Sequence, residues 1–272
     1  MQAFLSTRLA AWLPLPAAWA PALLLAALAP VFSAPKTADP APSRVALEAP
    51  DKQALVATYY PPTESMDKAS AVLLVHDAGR SREELLPLAL RLQKSGFAVL
   101  ALDLRGHGES ATAELDWKQL DEEGQGKAWN SMAGDIKAGV EFLGTQKGVL
   151  PASVSLLSSG ASSLLIARHA VRDERVRELV LIDPKTEGFG RSLVKDLQLL
   201  DGIPTLIVVG KGDTANGKRV VEAVAKTGTD ARSIVVKCSK LESAQILADK
   251  AAYADISRWM TDSLATKPGP KN

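Results

Sequence analysis

Residues 156–165, LLSSGASSLL, place four serine hydroxyls within ten positions of the chain. The stretch follows an apolar run and precedes a helical pattern. A catalytic serine is often held at such a sharp turn between a strand and a helix. The motif G-x-S-x-G, which supports a protruding serine there, is absent, and Gly160 lies among the serines instead. The sequence therefore raises two possibilities: one of these serines is a nucleophile, or the nucleophile has been lost.

Alternating apolar runs and helical patterns must position these side chains. The sequence predicts strands over 52–60, 70–79, 97–104, 153–157, 177–183, 205–210 and 233–237, and helices over 81–96, 129–143, 162–171, 217–226 and 251–264. Ser81 and Glu84 form a capping-box pattern at the start of the first helix. Strands that are apolar throughout are buried on both faces, so this alternation predicts a mostly parallel sheet between two helical layers. Functional residues of such sheets lie in the loops at the carboxyl ends of the strands.

Two of these loops carry specific motifs, HDAGRS (76–81) and LDLRGHGES (102–110). They resemble the oxyanion loop H-G-x-G and the D-x-R-G-H-G-x-S turn of the α/β-hydrolase fold, although Asp77 stands where the first motif has glycine. GKGD (210–213) resembles the loop that carries the catalytic acid of that family, on Asp213. The resemblance covers about residues 45–265 and is nearest to small dienelactone-hydrolase-like and serine-aminopeptidase-like members. It implies a three-layer α/β sandwich with a mostly parallel sheet and no large cap domain.

The resemblance also gives a register for the serine-rich turn. The family carries V-x-L-x-G-x-S-x-G-A there, and VSLLSSGASS puts Gly160 at the nucleophile position and Ser162 at the second glycine. A shift of two residues makes Ser162 the nucleophile, but it lengthens the strand and places Leu164 where a glycine is needed. We favour the unshifted register, in which Gly160 is a vestigial nucleophile position. Glycine adopts the strained backbone of such a turn with little steric cost.

The histidines give a second departure from the family. His76, His107 and His169 all precede Asp213, whereas the resemblance implies a catalytic histidine after the acid, near Lys240. A serine hydroxyl without an imidazole lacks a base suited to neutral pH. The sequence therefore predicts that two of the three triad members are missing.

Displaced machinery is the alternative. Ser159 and Ser162 flank the vacant position, and a desolvated Lys240 could serve either of them as a base. The backbone N–H groups of Ala78 and Ala161 match the oxyanion-hole donors of the family and could hold a carboxylate or carbonyl oxygen. They could equally be turn amides bound to water.

Composition excludes several functional classes. The chain has 272 residues and a formal net charge of +1, with no basic run, so we expect no nucleic-acid partner. Its single cysteine, Cys238, excludes an intramolecular disulfide. Scattered histidines and one cysteine give no metal-ligand spacing, and we expect neither a metal nor a cofactor.

The first 34 residues differ from the rest. Arg8 is followed by an uncharged, apolar stretch over 9–34, a pattern typical of an export signal, here with a cleavage site before Ala34. An uncleaved membrane anchor over 9–34 is the alternative, and it would be the only membrane contact. Residues 35–50 contain four prolines and predict an extended linker before a domain over 51–272. We therefore expect a periplasmic or secreted protein, or one anchored by its N-terminus.

These observations support a non-catalytic, exported α/β-hydrolase-like protein that binds a small molecule or a protein partner. The alternative is a serine hydrolase of the esterase or acyl-hydrolase type with a displaced nucleophile at Ser162 or Ser159. A third possibility is an anchored envelope protein whose globular part contacts a partner. Whether the chain is an enzyme is left open by the sequence, because fold does not determine function.

Overall fold

The computed structural model describes residues 40–63, 68–200, 202–210, 214–227, 234–238, 241, 243–247 and 249–266. The predicted leader over 1–34, the first part of the predicted linker, Asp213 and Lys240 lie outside the described residues. None of the helices within the described ranges combines the length and the apolar character needed to span a bilayer.

An eight-stranded sheet forms the centre of the molecule. Its strands are β1 (Ser43–Glu48), β2 (Ala54–Tyr60), β3 (Ala69–Val75), β4 (Ala98–Leu102), β5 (Val149–Ser159), β6 (Val176–Ile182), β9 (Thr205–Val209) and β10 (Ile234–Cys238), and a separate hairpin pairs β7 (Glu187–Gly188) with β8 (Arg191–Ser192). The order in the sheet is β1-β2-β4-β3-β5-β6-β9-β10. Strand β2 runs antiparallel to β1 and β4, and the other pairs are parallel.

Helices cover both faces of this sheet. They are α1 (Leu86–Lys94), α2 (Glu122–Thr145), α3 (Ser163–Ala170), α4 (Leu193–Leu199), α5 (Thr214–Thr227), α6 (Ser243–Ile246) and α7 (Lys250–Thr266). Leu73 of β3 belongs to one core cluster with Trp129 of α2. The next residue, Leu74, belongs to a second cluster with Leu88 of α1 and Met260 of α7. The strands are thus buried on both sides, and the predicted three-layer α/β architecture is confirmed.

The predicted linker is wrong over its last part. Residues 43–48 form β1, which pairs with β2 from Ser43 opposite Tyr59 to Glu48 opposite Ala54, so the folded domain begins before residue 51. Exposure alternates along this strand from Arg44 to Glu48, with Val45 and Leu47 half-buried, as in a strand with one solvated face. The prolines on either side, Pro42 and Pro50, favoured the prediction of a linker. Neither of them lies inside the strand, so neither interrupts its pairing.

The predicted helix cap at Ser81 is also wrong. Ser81 makes no side-chain cap hydrogen bond, and a 3-10 turn over Arg82–Leu85 precedes α1. Glu84, the expected partner in the capping box, directs its carboxylate elsewhere: its Oε1 accepts from Asp77 N and from Ser159 Oγ. Contacts of Glu84 with the preceding loop and with the distant Ser159 therefore replace the predicted helix cap.

Candidate functional site

The carboxyl ends of three central strands lie level at one edge of the sheet. Val75 of β3 pairs with Leu102 of β4 and with Ser158 of β5. Because these strands are parallel, the loops that follow them meet at this edge. The HDAGRS loop, the RGHG turn and the serine-rich turn are thus brought together, as the sequence predicted.

The serine-rich turn has Gly160 at its sharpest point. Strand β5 ends at Ser159, a 3-10 turn spans Gly160–Ser162, and α3 begins at Ser163. Gly160 has φ +57°, a left-handed conformation that residues with a side chain rarely adopt. Ser162 has an ordinary helical backbone with φ −63°, it is fully buried, and its Oγ has no hydrogen-bond partner among the described residues. Gly160, rather than Ser162, therefore takes the strained position of this turn.

Asp77 fills the space around Gly160. Its Oδ1 accepts hydrogen bonds from Ala78 N at 2.8 Å and from Ala161 N at 2.7 Å. A Cβ atom built on Gly160 would lie 2.1 Å from Cγ of Asp77 and 2.2 Å from each carboxylate oxygen. Real Cβ atoms do not approach other atoms so closely. A side chain at position 160 and the carboxylate of Asp77 in this orientation therefore exclude each other.

The two backbone donors named from the sequence do converge on one acceptor. We expected that acceptor to be a ligand oxygen or water, and in this structure it is the chain's own Asp77 carboxylate. Asp77 is adjacent to Ala78 in sequence but 84 positions from Ala161. Only the packing of β3 beside β5 brings the second donor within reach, so the sequence could not reveal this arrangement.

Glu84 lies behind Asp77 and holds Ser159. Its Oε1 accepts from Asp77 N and from Ser159 Oγ, each at 3.1 Å. Burial raises the pKa of the Glu84 carboxyl, and the negative charge of Asp77 raises it further. Ser159 is only 9% exposed. Its hydroxyl thus points at a carboxylate and is the only one of the candidate serines seen with an acidic partner in the described part of the chain.

His76 connects the oxyanion loop to the RGHG turn. Its Nδ1 lies 2.8 Å from the carbonyl oxygen of Asp77, and its Nε2 accepts from Leu104 N at 3.1 Å. The second contact assigns the proton to Nδ1, which then donates to the carbonyl. The ring is fully buried, and burial lowers its pKa to about 3. His76 is therefore a neutral structural bridge at neutral pH.

His107 forms a matching bridge in the opposite direction. Its Nε2 accepts from Gly79 N at 3.0 Å, so its Nδ1 donates to the carbonyl oxygen of Arg105 at 2.9 Å. Burial also lowers the pKa of this imidazole. Both ring nitrogens of each bridging histidine are used within the two loops, and neither imidazole is available as a base for a serine.

Asp103 organises the RGHG turn and, like Asp77 at Gly160, lies where the Cβ of a residue other than glycine would be. Its Oδ1 accepts from Arg82 N at 2.7 Å, its Oδ2 accepts from Glu109 N at 2.9 Å, and it forms an ion pair with the Arg82 guanidinium. Gly108 has φ +51°, and a Cβ there would lie 2.2 Å from Oδ2 of Asp103. Asp103 is thus a fully buried brace between loops.

A cleft of about 520 Å³ opens beside the oxyanion loop and the RGHG turn. Its lining mixes both signs of charge, including Arg80, Glu83, Glu109 and Lys118, with Trp117 on one side. This volume lies within the range of small-molecule sites. A recess is therefore present between Gly79–Glu84 and the RGHG turn, and neither Asp77 nor Gly160 is among its lining residues.

Comparisons with known proteins agree with this architecture. A family model described as serine aminopeptidase, S33, matches residues 67–189. Among solved structures, a dienelactone hydrolase from Anabaena variabilis is 17% identical with a TM-score of 0.63, covering 84% of this chain and 98% of that one. An esterase from Pyrococcus furiosus is 14% identical with a TM-score of 0.61, covering 83% and 90%. No curated protein sequence matches the chain.

The protein has an α/β-hydrolase fold. In this α/β-hydrolase-fold protein the structure brings together Ala78, Ser159, Gly160, Ala161 and Ser162. The remaining candidates, Asp213 and Lys240, lie outside the described residues.

Sequence reasoning missed Asp77 and Glu84 as members of the site of this α/β-hydrolase-fold protein. One signal was available for Asp77, since the oxyanion motif has glycine where this chain has a carboxylate. The signal for Glu84 was misleading because its spacing from Ser81 matched a helix cap. The third histidine, His169, lies on α3 with its Nε2 3.0 Å from Asp173 Oδ2, in a different group of side chains.

Proposed function

We propose that this chain is a non-catalytic α/β-hydrolase-fold protein that acts by binding rather than by hydrolysis. One observation carries the proposal: the carboxylate of Asp77 takes both oxyanion-type donors and the space of a side chain at Gly160. A nucleophile at that position and an oxyanion in that donor pair would each have to displace it.

Electrostatics gives the same result. Oxyanion donors accelerate acyl transfer because they meet negative charge only as it develops, and losing one donor typically costs about 10²–10³ in rate. Here both donors already hold a resident oxygen of Asp77. A developing oxyanion would meet occupied donors and a like charge. The two N–H groups therefore stabilise the ground state of the protein.

The absence of a base supports the same conclusion. All three histidines of the sequence precede Asp213. His76 and His107 use both ring nitrogens between the two loops, and His169 pairs with Asp173. The degenerate triad thus lacks an imidazole as well as a serine at position 160.

The recess between Gly79–Glu84 and the RGHG turn supports a binding role. Its volume of about 520 Å³ and its mixed lining of charged side chains with Trp117 suit a polar small molecule or an inserted peptide side chain. Because the loops around it are braced by Asp103 and by the two bridging histidines, the recess is preformed. Preformed sites bind with less ordering cost.

One observation favours the alternative of a displaced serine hydrolase. Ser159 Oγ donates to Glu84 Oε1 at 3.1 Å, and a carboxylate with a raised pKa is a candidate base. The occupied donor pair argues against it, because acyl transfer at Ser159 would need an oxyanion site. The esterase and dienelactone hydrolase activities of the similar structures bear on this alternative only through the shared fold.

A fluorophosphonate probe separates the two proposals. The purified full chain would be incubated with the probe beside an active α/β-hydrolase, and both intact masses recorded. We expect complete labelling of the active enzyme and no adduct on this protein. A stoichiometric adduct would overturn the non-catalytic proposal. Its loss in Ser159→Ala but not in Ser162→Ala would then identify Ser159 as the nucleophile.

We also propose that the domain acts outside the cytoplasm, as a periplasmic, secreted or N-terminally anchored protein. The uncharged apolar run over 9–34 behind Arg8 supports this location. Expression of the full chain in a bacterium with an intact export system, followed by N-terminal sequencing, tests it. A mature N-terminus at Ala34 fits a cleaved signal, whereas Met1 in the membrane fraction fits an anchor. Full-length protein in the cytosol would contradict both.

A further inference from the structure

A second cleft, of about 430 Å³, lies between α2, α3 and β8. We call it the basic cleft. Five cationic side chains and two carboxylates line it: Lys137, Arg168, Arg172, Arg175 and Arg191, with Asp173 and Glu174. The cleft is separate from the turn at Gly160, and nothing in the proposed function uses it.

Two packed helices give this cleft a fixed shape. Leu165, Arg168 and Arg172 follow one another at intervals of three and four residues along α3 and its C-terminal turn, so they share a face. Ala133 and Lys137 are one turn apart on α2 and line the facing wall. The charged groups are therefore presented by regular elements rather than by free loops.

Some of these cations are held by acids of the chain. Arg168 Nη1 donates to Asp196 Oδ1 at 3.0 Å. Arg175 donates twice to Asp173, from Nε at 2.8 Å and from Nη2 at 2.7 Å. These pairs orient the guanidinium groups of Arg168 and Arg175 at the rim and offset the charges of Asp196 and Asp173.

Asp173 is fully engaged by its neighbours. Burial raises its pKa, but the hydrogen bonds from Arg175 outweigh burial and lower the pKa to about 2. The carboxylate is therefore ionised at neutral pH, and it also lies 3.0 Å from His169 Nε2. It has no free oxygen position left with which to neutralise the other arginines.

Lys137 lies 3.7 Å from Glu141 on the same helix, which leaves Arg172 and Arg191. Within the described part of the chain, neither side chain makes an ion pair or a hydrogen bond, and Nε of Arg191 is buried without an acceptor. A buried N–H group without a partner is costly, and native proteins rarely leave one. This Nε is itself closed off from the cleft, so a ligand oxygen would be held by the Nη groups of the same guanidinium.

We propose that the basic cleft binds a phosphate-bearing small molecule through Arg172 and Arg191. The planar fork of arginine matches the oxygens of phosphate, and several cations around one site favour a dianion over a monoanion. Arg168 and Arg175, whose charges are offset by Asp196 and Asp173, contribute fixed guanidinium groups at the rim rather than net positive charge. The volume of about 430 Å³ accommodates more than one phosphate group, so the ligand carries further atoms beyond it.

Calorimetric titration of the full chain with inorganic pyrophosphate at low ionic strength tests this site. We expect saturable binding with one ligand per chain, weakened at least about tenfold in Arg191→Gln because a charged hydrogen-bond donor is lost. Arg191→Lys keeps the charge but loses the fork, so it should fall between the two. Arg258→Gln on α7, where the side chain is 72% exposed, removes the same charge elsewhere and should change affinity less than twofold.

Two results would overturn the proposal. One is the lack of saturable binding by the wild-type chain while its thermal unfolding shows a folded protein. The other is equal weakening in Arg191→Gln and Arg258→Gln, which would indicate attraction by net charge alone.

Two further probes identify the source of the phosphate. Glycerol 3-phosphate and monomeric dihexanoyl phosphatidic acid carry the same group with and without acyl chains. Tighter, Arg191-dependent binding of the second supports a lipid headgroup, and equal affinities support a free phosphate ester. If neither bound while pyrophosphate did, the ligand would be a polyphosphate.

Discussion

Two turns at the same edge of the sheet share one structural feature, a left-handed glycine packed against a carboxylate, but the two carboxylates have different roles. At Gly160 and at Gly108, a glycine in a left-handed conformation lets a carboxylate occupy the place of a side chain. Asp103, beside Gly108, is 1% exposed and pairs with Arg82. Asp77, beside Gly160, is partly exposed and has no ion-pair partner in the described ranges. The first carboxylate braces the fold, whereas the second takes up the N–H groups of Ala78 and Ala161.

This comparison ranks the cost of losing each carboxylate. Asp103→Ala should lower the free energy of unfolding by about 2–4 kcal/mol, because the N–H groups of Arg82 and Glu109 lose their acceptor. It also removes one of the two ion pairs of the Arg82 guanidinium, and Glu109 keeps the other. Urea denaturation of both proteins measures the difference. A loss below about 1 kcal/mol would mean that Asp103 is no more a brace than Asp77 and would remove the contrast between the turns.

Adding a Cβ at position 160 tests whether Asp77 fills the space of a side chain there. Gly160→Ala should cost about 3 kcal/mol in total, from a left-handed alanine at about 1–2 kcal/mol and overlap with Asp77 at about 1–3 kcal/mol. In the Asp77→Gly background the same substitution should cost only the backbone part. A double-mutant cycle by urea denaturation isolates the overlap. Additive costs would show that Asp77 does not fill this space.

Acid should weaken the link that His76 makes between the HDAGRS loop, which carries Asp77, and the RGHG turn. The folded-state pKa of His76, about 3, lies below the unfolded value of about 6.5. The unfolded chain therefore binds the proton first, and stability present above pH 6.5 is lost as the pH falls towards 3. Well below pH 6.5, His76 contributes a loss of about 1.4 kcal/mol per pH unit.

The matched variant is His76→Gln, whose amide can accept from Leu104 N and donate to the carbonyl oxygen of Asp77. Its unfolding free energy would be measured by urea denaturation between pH 7.5 and 4.5. Below pH 6.5 the slope of that free energy against pH should be smaller than in the wild type by about 1.4 kcal/mol per pH unit, the contribution of one proton. His107 and His169, whose pKa values burial also lowers, stay in both proteins and cancel. An unchanged slope would mean that His76 does not titrate in this way.

Asp77→Asn should have the smallest effect. The amide oxygen can still accept from Ala78 N and Ala161 N, and no cation loses its partner among the described residues. We expect a change in unfolding free energy of about 1 kcal/mol or less, measured under the same conditions as for Asp103. A loss comparable to that of Asp103→Ala would show that the negative charge of Asp77 is itself structural.

The sequence predicted the layers of the fold better than its edges. Continuously apolar strands report burial directly, so β4 and β6 were found to within two residues at each end, whereas β5 extends beyond its predicted limits on both sides. Strand β1, helix α4 and the β7–β8 hairpin were missed. β1 is a half-exposed edge strand between prolines, and the hairpin strands have only two residues each, too short for any periodicity.

For the site, the sequence by itself determined what is absent: a serine at position 160 and a histidine after Asp213. Those are facts of residue type and order. The tertiary structure alone decided what replaced them, because Asp77 meets Ala161 N only through the pairing of β3 with β5. It also decided that Arg191, on the β7–β8 hairpin, and Arg172, just after α3, line the same cleft. Residue types limit the chemistry that is possible, and only packing determines which donors find an acceptor within the chain and which stay available for a ligand.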